Sequence, residues 1–180
     1  VGRVAPNPLV GAVVVKNGRI IGQGWHEAYG KAHAERNALE HCIENPKGAT
    51  LYVTLEPCCH FGKQPPCTDL IIQSKIETVV IGSKDPNPLV AGKGIAILRQ
   101  AGIKVKENLL KEACDQLNEI FFYYIQKNRP FVLMKYAMTM DGKIATHTGA
   151  SKWITGEVAR HEVHETRHQY QAIMVGVDTV

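Results

Sequence analysis

Apolar and polar positions alternate along this chain in blocks that change period several times. Positions 9–15 form a continuous apolar, β-branched run, and Arg19-Ile20-Ile21-Gly22-Gln23-Gly24-Trp25 follows as a second strand-like run. Asn17-Gly18 stands between them, which predicts a β-hairpin. From Ala32 the period becomes helical: Ala34, Ala38, Leu39, Cys42 and Ile43 fall on one face, and Pro46 and Gly48 stop it. Positions 49–55 read as a buried strand, 67–75 as a helix and 78–82 as the next strand. A Pro-rich loop at 85–88 follows, then a helix over 94–101 and a short strand over 103–105. Strands alternating with helices predict a layered α/β domain, with ligands at the carboxyl ends of its strands.

Leu110, Cys114, Leu117 and Phe121 then mark one long helix, ending near Asn128-Arg129-Pro130. A domain boundary is expected there, giving a first domain over 1–128 and a second over 129–180. In the second, 131–136 and 172–177 read as strands, 140–145 as a turn and return, and 157–169 as a helix. Two strands and one helix cannot bury a core of their own, so this second domain is expected to be incomplete.

Composition narrows the function classes. The net charge of +4 is mild and its Lys and Arg are dispersed, which argues against a nucleic-acid stripe while leaving room for a local phosphate site. No apolar stretch approaches the roughly 20 residues of a membrane span. The opening residues 1–6 do not read as a signal peptide, and with no initial Met an upstream start is expected. Five cysteines, an odd number, favour reduced thiols and a cytoplasmic location over a disulfide framework. Cys42 and Cys114 sit in amphipathic patterns and read as small core residues.

The chemistry concentrates in two segments. One is His33-Ala34-Glu35. The other runs from Glu56-Pro57-Cys58 to Pro65-Pro66-Cys67. His33, Cys58 and Cys67 are a ligand set for a catalytic Zn2+, since three protein ligands leave a fourth tetrahedral position open. Glu35 is then the catalytic proton carrier, as in deaminases with His-x-Glu and Pro-Cys motifs. Positions i and i+2 of a helix do not share a face, so His33 and Glu35 serve one site only if the site caps the helix or both side chains project past its end. Two competing readings are a closed structural zinc completed by Cys59 or His60, and a pair of core or redox cysteines with no metal.

These residues carry a family resemblance. Positions 6–14, 33–35, 54–58, 62–67, 84–88 and 140–145 together resemble, in order and along the whole chain, the bifunctional riboflavin-biosynthesis deaminase–reductases. Eight residues separate Cys58 from Cys67, and the Pro-Pro-Cys ending sets the chain apart from nucleic-acid and nucleoside deaminases with Cys-x-x-Cys. Lys63-Gln64 stands where the family commonly has Arg-Thr.

The resemblance implies a cytidine-deaminase-like three-layer α/β/α domain followed by the start of a dihydrofolate-reductase-like α/β domain. It implies hydrolytic deamination of 2,5-diamino-6-ribosylamino-4(3H)-pyrimidinone 5′-phosphate, then NADPH-dependent reduction of the ribose in the complete protein. It also implies that Asn7, His26, His60 and Lys63 contact substrate, the alternatives being a solvated loop lysine for Lys63 and a strand-end histidine in a local hydrogen bond for His26. Asn offers a donor and an acceptor to a pyrimidine edge, and Lys a point charge to phosphate. Asp85 and Asn87 either line the same mouth or cap turns. In the second domain, Lys135 is a candidate for the ribose phosphate, and Thr155 and Gly156 for a phosphate at a helix N-terminus, with N-capping as the alternative for Thr155. His161, His164 and His168 form a stripe read as a solvated helix face.

The expected partners are a small pyrimidine nucleotide and further copies of the chain, with no nucleic acid and no membrane. A chain ending at Val180 is expected not to bind NADPH. The competing functions are a nucleic-acid base deaminase on the same fold, disfavoured by an aromatic content of 7%, and a non-catalytic zinc module.

Overall fold

Asn17 and Gly18 both adopt positive φ, 50° and 75°, the conformation of the tight turn that matches the twist of a hairpin. This turn joins β1 (Gly11–Lys16) to β2 (Arg19–Trp25), which pair antiparallel with a register irregularity between Val14 and Val15. The computed structural model describes residues 3–88 and 90–179. Val1 and Gly2, read above against a signal peptide, lie outside them. The chain divides into two compact units, Arg3–Phe131 and Val132–Val180.

In the first unit β3 (Thr50–Leu55) pairs antiparallel with β1, while β4 (Thr78–Ser83) and β5 (Lys104–Lys106) continue the sheet in parallel, in the order β2-β1-β3-β4-β5. Helix α1 (Ala34–Glu40) packs on β2 and β1. Helices α2 (Cys67–Gln73) and α3 (Lys93–Gln100) are the crossovers of the two parallel pairs. One face of the sheet is the core: Ala12, Val14, Ile21, Leu51, Val53, Val79 and Ile81 bury against Ala34, Ala38, Ile71, Ile95 and Leu98 from these helices. Strand residues alternate faces, so Gly82 points the other way, towards Cys114 of α4 (Lys111–Leu117). The result is the expected three-layer α/β/α arrangement.

Gly22 and Gly24 set the distance of α1 from the sheet. A Cβ on Gly24 would stand 2.5 Å from the Ala38 nitrogen, and one on Gly22 2.3 Å from the Ala38 oxygen. Only glycine lets the helix backbone lie this close.

Three expectations are corrected. The long helix predicted after Leu110 is two, α4 and α5 (Glu119–Lys127), interrupted at Asn118 with φ −119° and ψ 23°. The apolar spacing runs through the break, but the buried Asn118 side chain bonds to the Leu9 main chain instead of facing solvent. In the second unit, residues 131–136 and 172–177 are not strands. An apolar run becomes a strand only when it joins a ladder, and among the described residues neither run joins a sheet; Val132, Met134, Ile173 and Met174 are exposed. The predicted turn and return is a turn alone, closed by Thr139 and Lys143. Helix α6 (Glu157–Gln169) has the predicted bounds and no buried residue.

Candidate functional site

Three elements of the first unit end at one place. Cys58 follows the carboxyl end of β3. Cys67 opens α2 after Pro66, whose fixed φ suits a helix start. His33 is the N-cap residue of α1 with extended backbone (φ −72°, ψ 161°), and Glu35 lies in that helix's first turn. The i, i+2 conflict is therefore absent: His33 stands before the helix, free of its facial geometry.

The His33 Nδ1 lies 3.4 Å from the Cys58 Sγ and 3.4 Å from the Cys67 Sγ, and the Cys67 N–H donates to the Cys58 sulfur at 3.4 Å. The three ligating atoms fall within 4.8 Å of one another. Zinc with bonds of roughly 2.3 Å to sulfur and 2.0 Å to nitrogen has tetrahedral N···S edges of about 3.5 Å, so the spacing fits that ion.

The electrostatics fit it too. Hydrogen bonding from Cys67, then from His33, holds the Cys58 thiol down to about 4. Its hydrogen bond to Cys58, and then burial, push the fully buried Cys67 thiol up. The hydrogen bond to Cys58 raises His33. By themselves these groups sustain one thiolate; a second anionic sulfur there requires a cation. Cys59 and His60 do not join the cluster, and no other His, Cys, Asp or Glu group of this kind occurs among the described residues, the His161, His164 and His168 stripe included.

Glu35 is 3% exposed. Burial, followed by the nearby Cys58 charge, raises its carboxyl to about 7, the range in which a group both takes and returns a proton near neutrality. It lines a cavity of about 320 Å³ together with His33, Cys58, Asn7, His26, His60 and Lys63. All four residues expected at the substrate thus border the same space as His33 and Cys58.

His26 lines the cavity and also makes the local hydrogen bonds of the other reading open to it. It is 6% exposed; its Nδ1 lies 3.0 Å from the Ala32 oxygen, its Nε2 3.1 Å from the Asn7 Nδ2, and its ring stands edge-on to His33 at 5.5 Å. A carbonyl only accepts, so Nδ1 donates to Ala32.

Asp85 and Asn87 line the cavity, and Asp85 also accepts the Asn87 N–H at 2.8 Å, so both alternatives weighed for this loop hold for Asp85. Burial raises the Asp85 carboxyl.

Lys135, Thr155 and Gly156 lie in the second unit. Among the described residues Lys135 makes no hydrogen bond or ion pair. Gly156, not Thr155, is the N-cap residue of α6, and the Thr155 oxygen accepts from Arg160 at 2.6 Å.

Sequence reasoning missed Glu56, Tyr29, Lys31 and Phe121. The Glu56 carboxylate, 3% exposed, receives the N–H groups of Asp85 (3.3 Å), Gly92 (2.9 Å) and Ile95 (3.3 Å). It caps α3 and ties the 85–92 loop to the end of β3. Its position beside Pro57-Cys58 was the available signal. Tyr29, Lys31 and Phe121 line the cavity and carry no motif.

Residues 2–83 match the family model of the cytidine and deoxycytidylate deaminase zinc-binding region, and residues 130–180 match that of the RibD C-terminal domain. The riboflavin biosynthesis protein RibD of Actinobacillus pleuropneumoniae is 68% identical over 99% of this chain and 48% of its own length. A crystal structure of a diaminohydroxyphosphoribosylaminopyrimidine deaminase/5-amino-6-(5-phosphoribosylamino)uracil reductase from Thermotoga maritima is 57% identical with a TM-score of 0.94, covering 99% of this chain and 52% of that one. The Aspergillus oryzae Rib2 deaminase in complex with DARIPP is 26% identical with a TM-score of 0.54, covering 70% of this chain and 87% of that one. The chain spans about half the length of the curated relatives it matches. Along 99% of its own length the chain matches the amino-terminal half of the RibD riboflavin biosynthesis proteins.

Proposed function

We propose that the first unit is a zinc-dependent hydrolytic deaminase acting on 2,5-diamino-6-ribosylamino-4(3H)-pyrimidinone 5′-phosphate. The observation that carries this reading is the convergence of the His33, Cys58 and Cys67 ligand atoms within 4.8 Å of one another, with His33, Cys58 and the buried Glu35 lining one cavity. Those three side chains would hold the zinc, which would supply a water activated for attack at neutral pH. Glu35 would take a proton from the attacking water and deliver it to the exocyclic amine of the pyrimidine. As the water oxygen bonds to the ring carbon and the C–N bond breaks, ammonia would leave with that proton, the second water proton would go to the ring nitrogen, and the ring carbon would become a carbonyl. Asn7 addresses the pyrimidine or ribose edge, while His60 and Lys63 stand at the cavity wall for the phosphate. The Rib2 deaminase of Aspergillus oryzae, a structural neighbour of this chain, binds DARIPP, which supports a small-molecule ligand for this fold.

The second segment, through Lys135, Thr155 and Gly156, contributes to an NADPH-dependent reduction of the ribose in the complete protein. The enzyme works in the cytoplasm as a homo-oligomer. Among the described residues no helix is long and apolar enough to cross a membrane.

The test is ammonia release from the diaminopyrimidine nucleotide by the purified chain, before and after chelation and after zinc is restored. Activity that follows zinc supports the proposal. Unchanged activity in the chelated protein contradicts it.

A further inference from the structure

The loop between Cys58 and Cys67 is docked on the turn before α1 by two contacts. The Lys63 ammonium lies 4.0 Å from the centroid of the Tyr29 ring. The Gln64 side-chain amide donates to the Gly30 oxygen at 3.4 Å. The Lys63 stem passes over Gly30, where a Cβ would stand 3.6 Å from its Cδ. Tyr29, Lys31 and Lys63 all line the cavity. Among the described residues neither lysine has a carboxylate partner within 4.0 Å. Two cationic residues lining one cavity together favour an anion there. An aromatic face under one of them limits where its ammonium goes without neutralising it.

We propose that Tyr29 and Lys31 complete an anion subsite at this mouth: the Tyr29 ring positions the Lys63 ammonium, and Lys31 adds a second cation for a phosphate monoester. The identification of that monoester with the substrate's 5′-phosphate rests on the deaminase reading above, but the subsite itself does not. Tyr29 is a positioning residue, since it acts through Lys63. Gln64 supplies a second tie to the same turn.

Ribose 5-phosphate and ribose serve as probes, titrated calorimetrically into the full chain and its variants. An exposed cation–π contact is worth a factor of about two to five in affinity. Tyr29→Leu, which keeps bulk and removes the π face, is expected to weaken ribose 5-phosphate by that factor and leave ribose unchanged. Tyr29→Phe is expected to bind as the parent does. Lys31→Ala is expected to lower ribose 5-phosphate affinity and flatten its dependence on salt. Parental ribose 5-phosphate affinity in both Tyr29→Leu and Lys31→Ala overturns the proposal, as does equal weakening of ribose and ribose 5-phosphate. In the deamination assay, Tyr29→Leu should raise KM for the nucleotide with kcat unchanged. If the parent binds ribose 5-phosphate as described yet releases no ammonia, the deaminase reading fails and the subsite stands.

Discussion

The carboxamide of Asn118 and the main chain of Leu9 exchange two hydrogen bonds: the Leu9 N–H donates to Oδ1 at 2.7 Å, and Nδ2 donates to the Leu9 oxygen at 2.8 Å. The pair ties the break between α4 and α5 to the segment that carries Asn7, and it sets Phe121 beside the same cavity. Asn118→Ala leaves a peptide N–H and C=O without partners, at about 1–3 kcal/mol for a buried group so stranded. Urea unfolding of the full chain should show a loss of about 2 kcal/mol or more. Asn118→Asp, which keeps the acceptor and loses the donor, should fall between the two.

Gly24 tests how α1 delivers the site. In Gly24→Ala the new methyl meets the Ala38 nitrogen at 2.5 Å and the Ala34 oxygen at 2.8 Å. The helix must move off the sheet, taking His33 and Glu35 with it. Overpacking of this kind costs about 1–3 kcal/mol. Zinc affinity, measured by competition with a chromogenic chelator, should fall as well. Gly11→Ala is the control: nothing lies within 4 Å of its added methyl, and both quantities should stay at the parental value.

Glu56 holds a loop by its charge. Its carboxylate at the start of α3 meets three backbone N–H groups, and the helix dipole adds to their pull. Glu56→Gln keeps the shape and gives up the charge, so stability should drop by about 1–2 kcal/mol. Amide exchange of Gly92 and Ile95 should speed up, while zinc content should remain that of the parent.

Cys58→Ser and Cys67→Ser each replace a thiolate by a hydroxyl that stays protonated at neutral pH. Zinc content after dialysis should fall well below one per chain in both, because metal binding and site formation are coupled. Full occupancy in either would remove that sulfur from the ligand set.

Local signals in the sequence were read where the structure is local. Asn17-Gly18 determines a hairpin through its own backbone preference, and the bounds of α6 follow from its own turns. The pairing of His33 with Cys58 and Cys67 was legible because each motif sits at the end of a periodic block, and chain order placed those ends together. The interruption at Asn118 was not legible, since its cause is Leu9, 109 residues away. The segments at 131–136 and 172–177 have strand composition, but composition names no pairing partner. Glu56 and Tyr29 were missed for the same reason: each acts on backbone or side chains brought near only by the folded sheet.

The central claim is that Glu35 moves protons at a zinc held by His33, Cys58 and Cys67. Zinc content and ammonia release measured on the same samples of the parent and of Glu35→Gln test it most directly. The amide keeps the volume and hydrogen bonding of the carboxylate and cannot shuttle a proton. The prediction is about one zinc per chain in both proteins, with ammonia release from the diaminopyrimidine nucleotide lower by at least roughly 100-fold in the variant. Ammonia release near the parental rate from zinc-loaded Glu35→Gln would contradict it.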